Sequence, residues 1–223
     1  MVDQGQLKQN PLEGIKKKRQ TNRIVHIDDE VLSQLLELPD KSTFSGLRDY
    51  ALLMTSIDTG ARPGELLAVL PNHFNPVSRE LIITNDIAKT GVQRTLPLSP
   101  IVVDAIRQLQ RYREDDWKNH IPIFCTWSGE PYKVSAWTHR VESYAKKLEV
   151  HITPYMLRHN FALKSLRNKA DVFSIQRIMG HSDLAMTKRY VSLSQEDIRN
   201  THASTSPLNT LVKTPQKRKK KLT

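Results

Sequence analysis

The chain has one cysteine, Cys125, among 223 residues, so it can form no disulfide within itself. No apolar run approaches the ~18 residues that a membrane-crossing helix needs. The longest such stretches, "YALLM" and "ELLAVL", read as buried helix faces. The chain opens without a charged-then-apolar leader and a small-residue cleavage site, which argues against secretion and for a cytoplasmic protein. There is no internal repeat, and no cluster of Asp, Glu or Cys at metal-ligand spacing. A zinc site built only from His151, His159 and His181 is the one metal arrangement left conceivable, and the expectation is no metal and no cofactor.

Acidic residues are also in short supply. Lys and Arg number 34 against 23 Asp and Glu, a net charge of +11, which attracts a polyanion by counterion release and makes nucleic acid the leading partner. Part of the excess lies in "IKKKRQTNR" (15–23) and "KRKKK" (217–221), polar segments that read as solvated ends. Ten Lys or Arg are accounted for there, and the remainder of the chain is still not acidic.

Residues 9–23, "QNPLEGIKKKRQTNR", have Pro, Gly and charge but no apolar periodicity, as a linker does. A helix is predicted over 27–38, started by Asp28 and Asp29, lined by Val31, Leu35, Leu36 and Leu38, and stopped by Pro39. Residues 42–70 carry two helices broken at Thr59-Gly60, the second starting at Pro63, where a missing N–H costs nothing. The period then changes. β-branched runs flanking Lys89-Thr90-Gly91 predict a hairpin with a tight turn within 80–99. Further helices are expected over 100–115, over 134–147, from Pro154 onward, over 171–179 closed by Gly180, and over 183–192, with a helix and extension in 194–209. The fold class is therefore mainly α with a small antiparallel β-sheet, one domain long enough to bury a core.

Several residues invite chemistry, each with an ordinary alternative. Arg62 in "TGARPGELL" lies at a helix N-terminus, where N–H dipoles favour an anion, and Glu65 three residues on can hold it; alone, such a pair is usually a surface contact. In "TPYMLRHNFA", Tyr155 and Arg158 are spaced to face one site, with Leu157 and Phe161 toward the core and His159 turned elsewhere, in a supporting or packing place. Lys89 near a hairpin tip is either a solubility residue or an ammonium able to protonate a leaving oxygen. His181 follows the helix-ending Gly180, and Tyr190 is either packing or a nucleophile. His26, His73, His120, His139, His151 and His202 read as ordinary histidines.

Taken in order, Arg62, Lys89, Tyr155-x-x-Arg158, Gly180-His181 and Tyr190 resemble the catalytic set of the tyrosine recombinases, or phage-type integrases. Five of the six positions match the family's Arg, Lys, His-x-x-Arg, Gly-His and Tyr, and the likeness spans roughly 24–205. It implies an integrase catalytic-domain fold over 24–205, a linker-like basic segment at 1–23 and a basic tail at 206–223. It further implies site-specific cleavage and rejoining of double-stranded DNA through a 3′-phosphotyrosine. Tyr190 would attack, Arg62, Arg158 and His181 would stabilise the phosphate charge, and Lys89 would protonate the 5′ oxygen. The expected partners are DNA and further copies of the chain, a tetramer on the nucleoid DNA, with no membrane.

The sequence departs from the family in two places. Tyr155 stands where the first His is usual, and a phenol of pKa ~10 is no base at neutral pH, though it can donate to the phosphate. The family's N-terminal DNA-clamping helices are not recognisable either, as in a catalytic fragment or a short recombinase of the kind found among small DNA invertases. Helix 134–147, with Lys133, Thr138, His139 and Arg140, carries side chains suited to contact bases and phosphates. A type IB topoisomerase, a binding-only regulator on the same scaffold and a plain helix-turn-helix protein are the competing readings.

Overall fold

The computed structural model describes residues 26–114, 117, 119–181, 183, 199 and 202–211. The expected helix 183–192 beyond Asp183, with Tyr190, the segment 1–23, the basic run 217–221 and residues 194–198, 200 and 201 of the expected 194–209 helix and extension lie outside the described residues.

Helix α2 (Phe44–Thr59) is the centre of the molecule. Its buried positions run nearly all round, including Leu47, Ala51, Leu52, Leu53 and Met54, because α1 (Asp29–Glu37), α4 (Pro100–Gln110) and α6 (Pro154–Arg167) pack around it. Thr43 caps its start by accepting the Gly46 N–H at 3.0 Å, and Gly60 ends it in the left-handed region at φ 59°. A Cβ on Gly60 would stand 2.3 Å from Phe161 Cδ1 of α6, so glycine is required there on both counts.

The short α3 (Pro63–Ala68) follows at once, with Pro63 in its first turn as the sequence predicts. A 3₁₀ turn (Pro71–His73) leads into a three-stranded antiparallel sheet of β1 (Phe74–Asn75), β2 (Glu80–Ile83) and β3 (Arg94–Pro97) in the order β1-β2-β3. Leu81 pairs with both Phe74 and Leu96, and all three face the core. Helix α5 (Val134–Lys147) and α7 (Val172–Met179) complete the body, and α8 (Leu208–Leu211) is a short outlying turn. Beneath α6 and α7 a small apolar cluster of Ala162, Ile175 and Met179 is roofed by Phe161 and Leu166.

Three expectations need correction. The predicted tight hairpin is a connection over 84–93: its ends are tied by the Asn85 side chain accepting the Gln93 N–H at 2.7 Å, while Ile87 and Ala88 dip into the core. These apolar residues look like strand in sequence but act as a plug. Helix 100–115 ends at Gln110. On α1 the buried residue beside Leu35 is Leu32, with Val31, Leu36 and Leu38 only partly covered. Among the described residues no helix is long and apolar enough to cross a membrane.

Candidate active site

The site forms where the end of α2, the start of α3, the 84–93 loop and the C-terminal turn of α7 meet. Arg62 is the residue before α3, and its own N–H donates to Glu65 Oε2 at 3.2 Å. Its guanidinium donates to Glu65 Oε1 at 3.0 Å and reaches the Gly180 carbonyl at 2.9 Å. The Arg62–Glu65 pair is thus no surface contact, since the Glu65 side chain is 2% exposed.

Arg158 comes from the second turn of α6 and is buried. It donates to the Gly60 carbonyl at 2.6 Å and the Met179 carbonyl at 2.9 Å. A helix C-terminus carries partial negative charge, so guanidinium groups are natural partners for the last carbonyls of α7. Asp171 caps the other end of α7 by accepting the Ser174 N–H at 2.8 Å, and Gly180 closes the helix at φ 64°. His181 follows directly and is buried, its N–H donating to the Gln176 carbonyl at 3.1 Å.

Burial, then the charges of Arg158 and Arg62, push the His181 imidazole down to about 4, so the ring is neutral at neutral pH. His159 is also held below its ordinary value, by burial and by Arg158. Half-buried beside Arg158, it lies close enough that its charge, when protonated, acts on His181, as suits a supporting place. Lys89 is exposed in the 84–93 loop, and its backbone N–H donates to Glu65 Oε1 at 3.3 Å. Glu65 therefore ties Lys89's loop to Arg62.

Sequence reasoning missed Arg94. It opens β3, is buried, and donates to Glu65 Oε2 at 2.5 Å and to the Ile178 carbonyl at 2.8 Å. Burial works to raise the Glu65 carboxyl, but the Arg94 hydrogen bond and the charges of Arg94 and Arg62 outweigh it and keep it below the ordinary carboxylate range. A signal was present in the sequence: strand alternation places position 94 on the same inward face as Leu96, and a charge there demands a partner.

The remaining candidates divide. Tyr155, in the first turn of α6, is 50% exposed, while Arg158 three residues on is buried, so the two do not share one environment. Lys133 precedes α5 and His139 is outward on it, both exposed. Thr138 returns its hydroxyl to the Val134 carbonyl at 2.9 Å. Arg140 is half exposed, and its Nε lies 3.3 Å from Oδ2 of Asp49, which is 1% exposed and also accepts from Tyr144 at 2.8 Å. Among the described residues no group of three His, Cys, Asp or Glu is placed to hold a metal ion, which removes the zinc arrangement of His151, His159 and His181.

The phage integrase family profile matches residues 25–197. Tyrosine recombinase XerC of Actinobacillus succinogenes is 30% identical over 210 residues, covering 93% of this chain and 70% of the relative. XerC of Bacillus subtilis is 29% identical over 213 residues, with 90% and 68% covered. Among solved structures, a XerA recombinase superimposes with TM-score 0.66 at 23% identity over 86% of this chain and 67% of that one. The Tn1549 transposon integrase with a circular intermediate DNA gives 0.70 at 19% over 83% and 68%. The catalytic domain of bacteriophage HP1 integrase gives 0.60 at 18% over 85% and 99%. The profile match and the XerC identity together establish that this chain belongs to the phage integrase family, the tyrosine recombinases.

Proposed function

We propose that Arg62, Arg158 and His181 form the phosphate-binding half of the active site, that Lys89 is its general acid and that Tyr190 is its nucleophile. The chain is an enzyme of the site-specific DNA recombinase type. The observation that carries the assignment of roles is the convergence of Arg62, Arg158 and the His181 turn on one helix end, beside the loop that bears Lys89.

The chemistry follows from these groups. A phosphodiester carries a full negative charge, and attack adds more to its non-bridging oxygens, so fixed guanidinium and imidazole donors lower the barrier. Tyr190 Oη forms a bond to phosphorus as the P–O5′ bond breaks; the phenol proton passes to solvent water, and Lys89 gives the departing 5′ oxygen a proton. The phosphotyrosine ester keeps the energy of the broken bond, so a 5′-hydroxyl from another strand can reverse the step without a nucleotide. A neutral His181 serves as a hydrogen-bond donor and adds no further cation to a crowded site. Tyr155 is half exposed in the first turn of α6, and its hydroxyl is a candidate donor to the phosphate.

DNA is the partner, and work on the nucleoid in the cytoplasm suits a chain of charge +11. Assembly as a tetramer is supported by Leu208 and Leu211, which are 62% and 75% exposed and offer apolar contacts to a neighbouring subunit.

The test is a nicked suicide duplex drawn from a pool of inverted-repeat sequences, incubated with wild type and Tyr190→Phe and resolved on a denaturing gel. A covalent band in wild type alone is expected. No band with a duplex that the protein binds would leave a DNA-binding scaffold without catalysis.

A further inference from the structure

We infer that Arg94 is a positioning residue for recombination, pinning the C-terminal turn of α7 so that His181 and the Arg62 guanidinium meet the phosphate in register. This rests on the active-site reading above. Three of its features carry the argument. Every nitrogen of the guanidinium is engaged by protein: Nε with the Ile178 carbonyl at 2.8 Å, Nη1 with Glu65 Oε1 at 3.3 Å and Nη2 with Glu65 Oε2 at 2.5 Å. The residue is 7% exposed, so it does not reach DNA itself. It acts through others.

The second feature is what it connects. Glu65 belongs to α3 and Ile178 to α7, two elements joined otherwise by the Arg62 contacts to Met179 and Gly180. A planar fork can satisfy a carboxylate and a carbonyl at once, which a lysine ammonium cannot do with the same geometry. The third is the division of the Glu65 carboxylate. Arg94 occupies Oε2 closely, leaving Arg62 to share Oε1 through one nitrogen and to keep the other for the Gly180 carbonyl. Without Arg94, a buried carboxylate short of donors draws Arg62 into a two-pronged pair and away from the substrate.

Gly180 supplies an independent handle. A Cβ built there stands 2.8 Å from the Arg94 guanidinium carbon, at a backbone φ of 64°. Gly180→Ala therefore displaces the same contact from the other side.

The experiment measures the first-order rate constant of covalent adduct formation at saturating protein, on the nicked duplex and on the same duplex with a 5′-bridging sulfur. A thiolate leaves without being protonated, so the sulfur substrate bypasses the general acid. The set comprises wild type, Tyr190→Phe, Lys89→Ala, Arg94→Gln, Arg94→Lys and Gly180→Ala. Displacing a reacting group by ~1 Å costs on the order of 100-fold in rate, so the Arg94 and Gly180 variants are expected to slow cleavage by roughly 10- to 100-fold with DNA affinity retained. Sulfur relieves Lys89→Ala but not these variants, and Arg94→Lys stays slow although it keeps the charge.

If Arg94→Gln does not fold, Arg94→Lys and Gly180→Ala carry the same comparison. A fall in adduct yield with an unchanged rate constant means that Arg94 only supports the fold, and relief by sulfur means that it acts on Lys89; either result overturns the inference. Absence of adduct from wild type refutes the enzymatic reading instead.

Discussion

His181 is neutral because the protein makes its cation expensive, first by burial and then by the guanidinium groups of Arg158 and Arg62. Its folded value, about 4, lies below the ordinary 6.5, so as pH falls the unfolded chain takes up the proton first. Stability from this group is therefore full above about pH 6.5 and is lost as pH falls toward 4. An NMR titration of the ring in the free protein is expected to centre near 4, and His181→Gln should flatten the pH dependence of the urea midpoint in that window. His181→Ala, which removes the side-chain donor altogether, should cost roughly 10²- to 10³-fold in cleavage. Tyr155→Phe deletes one neutral hydrogen bond and should slow cleavage by only about tenfold, with no effect on folding. Arg62, Arg158 and His181 were legible as a set from their motifs. Arg94 was not, because its partners lie 29 and 84 positions away along the chain.

The join between α2 and α3 is the element on which Arg62 and Arg158 both depend. Gly60 turns the chain there, accepts from Arg158 and lies under Phe161. Gly60→Ala combines an unfavourable φ with a steric clash, so it should cost about 1–3 kcal/mol in urea unfolding and slow cleavage as well. The break at Thr59-Gly60, the start at Pro63, the bounds of α5 and the Gly180 stop of α7 were all readable, since capping chemistry and helical period are local. The 84–93 loop was not. "TNDIAKTGVQ" contains a turn signal and apolar residues, but whether Ile87 and Ala88 continue a strand or plug a core depends on a cavity that other elements provide.

For the whole molecule, charge sets the strength and salt dependence of DNA binding. Each phosphate contact contributes ~0.9 to the slope of log affinity against log salt. Deleting the five basic residues of 217–221 should reduce that slope, by at most about 4–5 units at ~0.9 per contact, while leaving the cleavage rate at saturation unchanged. Filter binding over a salt series reads the first and the suicide duplex the second. Composition alone pointed to a polyanion, because net charge needs no geometry. Periodicity and capping residues also sufficed for a mainly helical domain with a small sheet, and motif order sufficed for the family. Tertiary structure alone decided that Arg94 shares Glu65, that Arg140 is drawn to Asp49 and that three arginines meet at the end of one helix. Those pairings form between residues distant in sequence, and their strength comes from burial, which exists only after the chain has folded.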